Sequence, residues 1–148
     1  LATSAVSGML ASDRLASRFG GEDRVATVGS VPQGHEAIVT VAADTRGHFI
    51  VHPAVGGRRV RMMVDTGASV VALTHEDART LGVLPQARDY TRPVSTANGV
   101  VHVATVRLPE LRVGDVVVGN VEAVVMPEGR LSTSLLGMSF LKRLRSFE

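Results

Sequence analysis

From Glu36 onward the chain is a succession of short apolar runs cut apart by Gly, Asp, Asn and Pro. That patterning constrains the fold more than any other feature. No run is long enough to be a core helix, and Val-rich runs bounded by turn residues read as β-strands. "AIVTVAA" (37–43) is followed by "DTRG", "HFIVHP" (48–53) by "AVGG", and "RRVRMMV" (58–64) completes what reads as an antiparallel meander. After Asp65-Thr66-Gly67 a further run covers 70–73. Thr74 then offers a helix cap, with Asp77 at the capping-box position and Gly82 as the stop. "DYTRPVSTA" and "VVHVATVRL" are joined by Asn98-Gly99, a strong two-residue hairpin signal. "ELRV", "DVVV" and "VEAVVM" follow as three strands punctuated by Gly114-Asp115 and Gly119-Asn120. The end, "SLLGMSFLKRLRSFE", predicts a short strand, a glycine and a helix burying Met138, Leu141 and Leu144.

At 148 residues, 45% of them apolar but only 3% aromatic, the chain fits one domain with a core of Val, Leu and Ala. Residues 1–34 differ: small and polar residues dominate, with Gly20-Gly21 in the middle. They read as an arm or linker, in part a loose helix over residues 5–19 with Met9, Leu10, Leu15 and Phe19 along one side. The formal charge is +2, and the basic residues are nearly all arginines, scattered along the chain. No basic stretch alternates with aromatics, which argues against a nucleic-acid partner. Cysteine is absent, which excludes disulfides and thiolate metal sites. No apolar run reaches the length of a membrane span. The chain begins at Leu1 without an initiator Met, so an upstream signal or anchor is expected.

One carboxylate stands out. Asp65 follows the apolar Met62-Met63-Val64 and precedes Thr66 and Gly67, an abrupt chemical change at the end of a strand, where aspartate is disfavoured. Taken alone, Asp65 fits a solvated turn. Val64-Asp65-Thr66-Gly67-Ala68-Ser69 also resembles the active-site signature of the retropepsin-like aspartic proteases. Leu135-Leu136-Gly137 is similar to the apolar-apolar-Gly element that lies behind the active-site loop in that family. The segments "GHFIVHPAVGGRRVRMMVDTGAS", "STANG" and "SLLGMSFL" are especially similar to a bacterial branch of small enzymes anchored in the inner membrane and facing the periplasm.

The resemblance covers roughly residues 36–147. It implies a mainly β, closed barrel of the acid-protease type with two short helices over 36–148, preceded by an arm over 1–35. It implies an aspartic endopeptidase in which Asp65 is catalytic, Thr66, Gly67 and Ala68 shape the active-site loop, and Thr96, Ala97, Asn98 and Gly99 form a flap over the substrate. The substrate would be an extended peptide or protein, including the periplasmic part of a membrane protein, and the location the periplasm, anchored through a segment upstream of Leu1.

The physical logic is independent of the family. Hydrolysis of an amide by water needs a base to activate the water and an acid to protonate the leaving nitrogen. Two carboxylates about 3 Å apart do both, because like charges that close share one proton. The sequence holds a single Asp-Thr-Gly and no Asp-Ser-Gly, so a pair requires a second copy of the chain across a two-fold axis. A homodimer without cofactor is therefore expected. The competing reading is a catalytically silent dimeric scaffold that binds peptides with the same fold. His48 and His52, and His75-Glu76-Asp77, lack zinc spacing, so no metal is expected. Ser69 and Ser139 lack the setting of a hydrolase nucleophile.

Overall fold

The computed structural model describes residues 25–29 and 38–144. The expected helix over 5–19 and most of the arm lie outside the described residues. Val25–Gly29 (β1) pairs antiparallel with Ile38–Ala42 (β2), Val25 facing Ala42. An isolated bridge from Ala43 to Phe49 leads into Ile50–Val51 (β3). Then come Ala54–Val55 (β4), Arg58–Arg59 (β5), Met62–Val64 (β6) and Val71–Leu73 (β7). Helix α1 spans His75–Thr80 and a 3-10 turn spans Ala87–Asp89. Tyr90–Thr96 (β8), Gly99–Val113 (β9), Val116–Val125 (β10), Ser134–Leu136 (β11) and Met138–Leu141 (α2) complete the order.

The main sheet runs β3-β6-β11-β7-β10-β9-β4-β5, with β8 added on β9. It forms a strongly curled half-barrel, so the fold is mainly β and retropepsin-like, with two short α-helices among the described residues. The expected meander is only partly antiparallel in sequence order. Gly56 and Gly57, at φ +57° and +85°, turn β4 into β5, a geometry in which side-chain-bearing residues are strained. β3 instead reaches past that hairpin to β6, Ile50 facing Met63.

Two of the three expected late strands merge. Gly114-Asp115 is a true turn between β9 and β10, but Gly119-Asn120 is a bend inside the continuous β10. Asn120 takes φ 55°, a value its short polar side chain tolerates. Arginines cap the bent backbone: Arg143 donates to the Gly119 carbonyl at 2.9 Å and Arg107 to the Asn120 carbonyl at 3.3 Å. Likewise "VVHVATVRL" and "ELRV" are one long strand, β9, running through Pro109.

Thr74 caps α1 as expected, its hydroxyl accepting the Asp77 N–H at 3.0 Å. The Asp77 carboxylate does not return to the Thr74 N–H. A serine stands between them: Thr74 N–H donates to Ser134 Oγ at 2.9 Å, and that hydroxyl donates to Asp77 Oδ2. The helix stops at Gly82 (φ 79°), where Gly82 N–H bonds the Arg79 carbonyl and Val83 N–H the Ala78 carbonyl.

The main core gathers Met62, Val71, Leu73, Leu108, Leu111, Leu136, Phe140 and Leu141 with their neighbours. Burying Phe140 alone is worth about 2–3 kcal/mol of transfer free energy. Of the three residues expected to be buried by the last helix, Leu141 and Leu144 are, but Met138 is only half-buried and Phe140 takes the deep position. A second cluster, of Ala72, Val101, Val103, Val124 and Met126, lies against Val94 and Leu135. It fastens the β8–β9 hairpin to the strands that frame the Asp65 loop.

Candidate active site

β6 ends at Val64, and the chain turns through residues 65–70 before β7. Asp65 opens this loop half-buried, so its carboxylate is held by protein yet reachable from outside. Its N–H donates to the Leu136 carbonyl at 3.1 Å and its own carbonyl accepts the Ala68 N–H at 3.2 Å. Oδ1 accepts the Gly67 N–H at 2.8 Å, a local bond that sets the side-chain torsion. A Cβ at Gly67 would lie 3.2 Å from that same oxygen, so a side chain there would press on the carboxylate. Thr66 and Ala68 are half-buried, and among the described residues the Thr66 hydroxyl has no hydrogen-bond partner.

What holds the loop is the strand behind it. β11 lies parallel to β6, Leu135 facing Met63 and Leu136 facing Val64, and Leu135 also faces Ala72 of β7. Leu135-Leu136-Gly137 thus sits between the strands that enter and leave the loop. At Gly137 the backbone passes so close that a Cβ would fall 2.2 Å from the Val70 carbonyl oxygen and 2.7 Å from that of Ala68. The next residue, Met138, donates its N–H to the Ala68 carbonyl at 2.8 Å. Backbone bonds therefore pin both the entry and the middle of the loop to one segment, residues 136–138.

The expected flap residues lie together at the tip of the β8–β9 hairpin. The pairing places Thr96 opposite Gly99, so the two loop residues are Ala97 and Asn98, one position earlier than the Asn98-Gly99 signal suggested. Gly99 keeps the left-handed conformation, φ 108°, but as the first residue of β9. The Thr96 hydroxyl explains the shift: it donates to the Gly99 carbonyl at 2.7 Å and accepts the Asn98 N–H at 3.1 Å, closing the turn itself. The tip makes no hydrogen bond to the Asp65 loop. Its connection is through the hairpin base, where Val94, Val101 and Val103 pack with Ala72 and Leu135.

Two buried serines flank Leu135-Leu136-Gly137; the sequence reading passed over Ser134 and weighed Ser139 only as a nucleophile, missing the structural role of both. Ser134 is fully buried and Ser139 nearly so. Ser139 Oγ accepts the Val71 N–H at 2.9 Å and donates to the Glu122 carbonyl at 2.7 Å. The available signal was a polar residue on each side of an apolar tripeptide. Among the described residues no group of three or more His, Asp or Glu is placed to hold a metal ion, and no helix is long and apolar enough to cross a membrane.

This geometry agrees with known proteins. Residues 51–143 match the family model described as "gag-polyprotein putative aspartyl protease". The crystal structure of a retropepsin-like aspartic protease from Rickettsia conorii superposes with TM-score 0.65 at 40% identity, covering 73% of this chain and 88% of that one. An uncharacterized protein from the cobV 5′ region of a Sinorhizobium species is 39% identical over 123 residues, 83% of this chain and 52% of that protein. An uncharacterized protein of Rickettsia prowazekii is 39% identical over 109 residues, 74% of this chain and 46% of that protein. The chain spans about half the length of these curated relatives. The family match covers most of the described fold and includes the Asp65 loop, the hairpin and the segment behind the loop: the chain belongs to the retropepsin-like aspartic protease family.

Proposed function

We propose that the domain is an aspartic endopeptidase, active as a homodimer in which each subunit supplies one Asp65. The observation that carries this reading is a half-buried carboxylate on a loop clamped from behind by Leu136, Gly137 and Met138, in a sequence with one such motif. Oδ1 is engaged by Gly67, and Oδ2 accepts no hydrogen bond from the described residues. Paired with a second copy, one carboxylate takes a proton from the attacking water while the other protonates the leaving nitrogen. Thr66, whose hydroxyl has no partner among the described residues, suits a bond to the opposite loop. Residues 96–99 cover an extended peptide, which pairs through its backbone in the cleft. The similarity of residues 47–69 and 134–141 to the periplasmic, membrane-anchored branch supports a place at the inner membrane facing the periplasm, with substrates there.

A fluorogenic peptide library, incubated with wild type and Asp65→Asn, with and without a pepstatin-type transition-state analogue, tests the reading. Cleavage that needs Asp65 and is blocked by the analogue is expected. Peptide binding without cleavage by either protein would leave a silent scaffold instead.

A further inference from the structure

Three ties run from residues 136–139 to the loop that carries Asp65. The Leu136 carbonyl accepts from Asp65, the Met138 N–H donates to Ala68, and Ser139 Oγ accepts from Val71. The first two are backbone bonds, indifferent to side-chain identity. Ser139 alone makes its tie with a side chain.

The hydroxyl also stands at a junction. β7 and β10 pair in parallel from Val71 and Ala123 onward. At the mouth of that ladder, Ser139 relays between the Val71 N–H and the Glu122 carbonyl, donating to one strand and accepting from the other. Ser139 is 8% exposed, so water cannot readily replace it, and its removal leaves an N–H and a C=O unpaired where the loop rejoins the sheet. Glu122 reaches further, its carboxylate pairing with Arg92 of the hairpin strand β8 at 3.1 Å.

We propose that Ser139 is a positioning residue for catalysis: through the Val71 N–H it fixes where the loop ends, and so where the Asp65 carboxylate stands relative to its partner. This rests on the protease reading. It is separable from a merely structural role because the fold contains a matched control. Ser134 Oγ accepts the Thr74 N–H at the other end of β7, at the same 2.9 Å, and donates a hydrogen bond to Asp77 Oδ2, away from the Asp65 loop. Both serines are buried and both join β7 to a neighbour, so losing either should cost similar stability.

The test compares wild type, Ser139→Ala, Ser139→Cys and Ser134→Ala by steady-state kinetics on one cleaved peptide and by amide hydrogen exchange. Ser139→Ala should lower kcat about 10- to 100-fold with KM within about twofold, the size expected for a misplaced but intact catalytic group. Ser139→Cys fills the site with a larger thiol that hydrogen-bonds weakly, so no cavity opens and the kcat loss can be read there even if the alanine variant unfolds. Ser134→Ala should keep kcat within about twofold of wild type. Exchange at Asp65, Ala68 and Val71 should accelerate in the Ser139 variants and not in Ser134→Ala. Wild-type kcat in Ser139→Cys, or an equal kcat loss in Ser134→Ala, overturns the proposal. A wild-type chain that cleaves nothing defeats the protease reading instead, and the exchange comparison still decides whether Ser139 holds the loop.

Discussion

The carbonyl oxygen of Val70 occupies the space that a side chain on Gly137 would need, 2.2 Å from the missing Cβ. The backbone of Gly137 is otherwise ordinary, with φ −99°, so what selects glycine here is room and not torsional freedom. The loop bearing Asp65 is folded directly onto this bare backbone.

Gly137→Ala should therefore be among the most damaging small substitutions in the chain. The obstructing atoms are backbone oxygens that cannot rotate away, so a loss of at least about 2 kcal/mol is expected. For a domain of this size that corresponds to a fall in Tm of about 10 °C or more. Thermal denaturation reads it, and an unchanged Tm would mean that the loop moves more freely than its bonds indicate.

Asp65→Asn keeps an oxygen in place to accept the Gly67 N–H, so stability should stay within about 0.5 kcal/mol of wild type. Peptidase activity should drop at least about 100-fold, since an amide neither takes up nor delivers the proton. Urea denaturation and peptide hydrolysis, measured on the same preparation, check both halves.

At the hairpin tip a side chain on Gly99 meets open space, but φ 108° is strained for any residue with a Cβ. Gly99→Val should cost about 1–2 kcal/mol locally and reshape the tip. Because Thr96 to Gly99 are mostly exposed, kcat/KM should fall by a larger factor than the global folding constant. Equal kcat/KM in both proteins would remove the support for a flap.

If two chains are needed for one pair of carboxylates, activity per chain must follow the fraction of dimer. Specific activity should rise with protein concentration and level off where sedimentation shows the dimer complete. Activity per chain that is constant while monomer predominates would contradict a shared site.

The turn after β2 gives an acid-side prediction. Asp44 Oδ1 accepts the N–H of His48 and of Arg46, each at 2.9 Å, and the His48 bond is the chief reason its pKa lies below the ordinary value. A folded-state pKa below the unfolded one contributes stability above the ordinary carboxylate range, and the contribution is lost as pH falls through the depressed value. The group is exposed, so the effect is small. Between about pH 5 and pH 2 the urea midpoint of wild type should fall more than that of Asp44→Asn. Parallel curves would show that Asp44 contributes nothing to the acid limb.

Much of this was legible in the chain itself. The alternation of short apolar runs and turn residues yields the mainly β fold, and the cap at Thr74 and the stop at Gly82 are where local chemistry puts them. Local chemistry misjudged Gly119-Asn120, where two arginines satisfy the bent backbone and let the strand continue. It also put the hairpin turn one residue late, because the Thr96 hydroxyl competes with the usual Asn-Gly geometry. The serines on either side of Leu135-Leu136-Gly137 show in the sequence only as polar residues beside an apolar tripeptide, since each accepts from a backbone N–H sixty or more residues away. Spacing along a strand cannot announce a partner that only the tertiary fold supplies.

The parallel contact between β6 and β11 joins Met62 to Ser134, so it spans most of the domain. A pairing this distant must meet the entropy of closing a long loop before its contacts reward it. The Asp65 loop takes its shape from that contact. A chain that has not yet made this contact carries the acid without its mould. If the domain is the protease proposed above, a chain still in synthesis, with residues 134–136 not yet added, has no formed site with which to cleave.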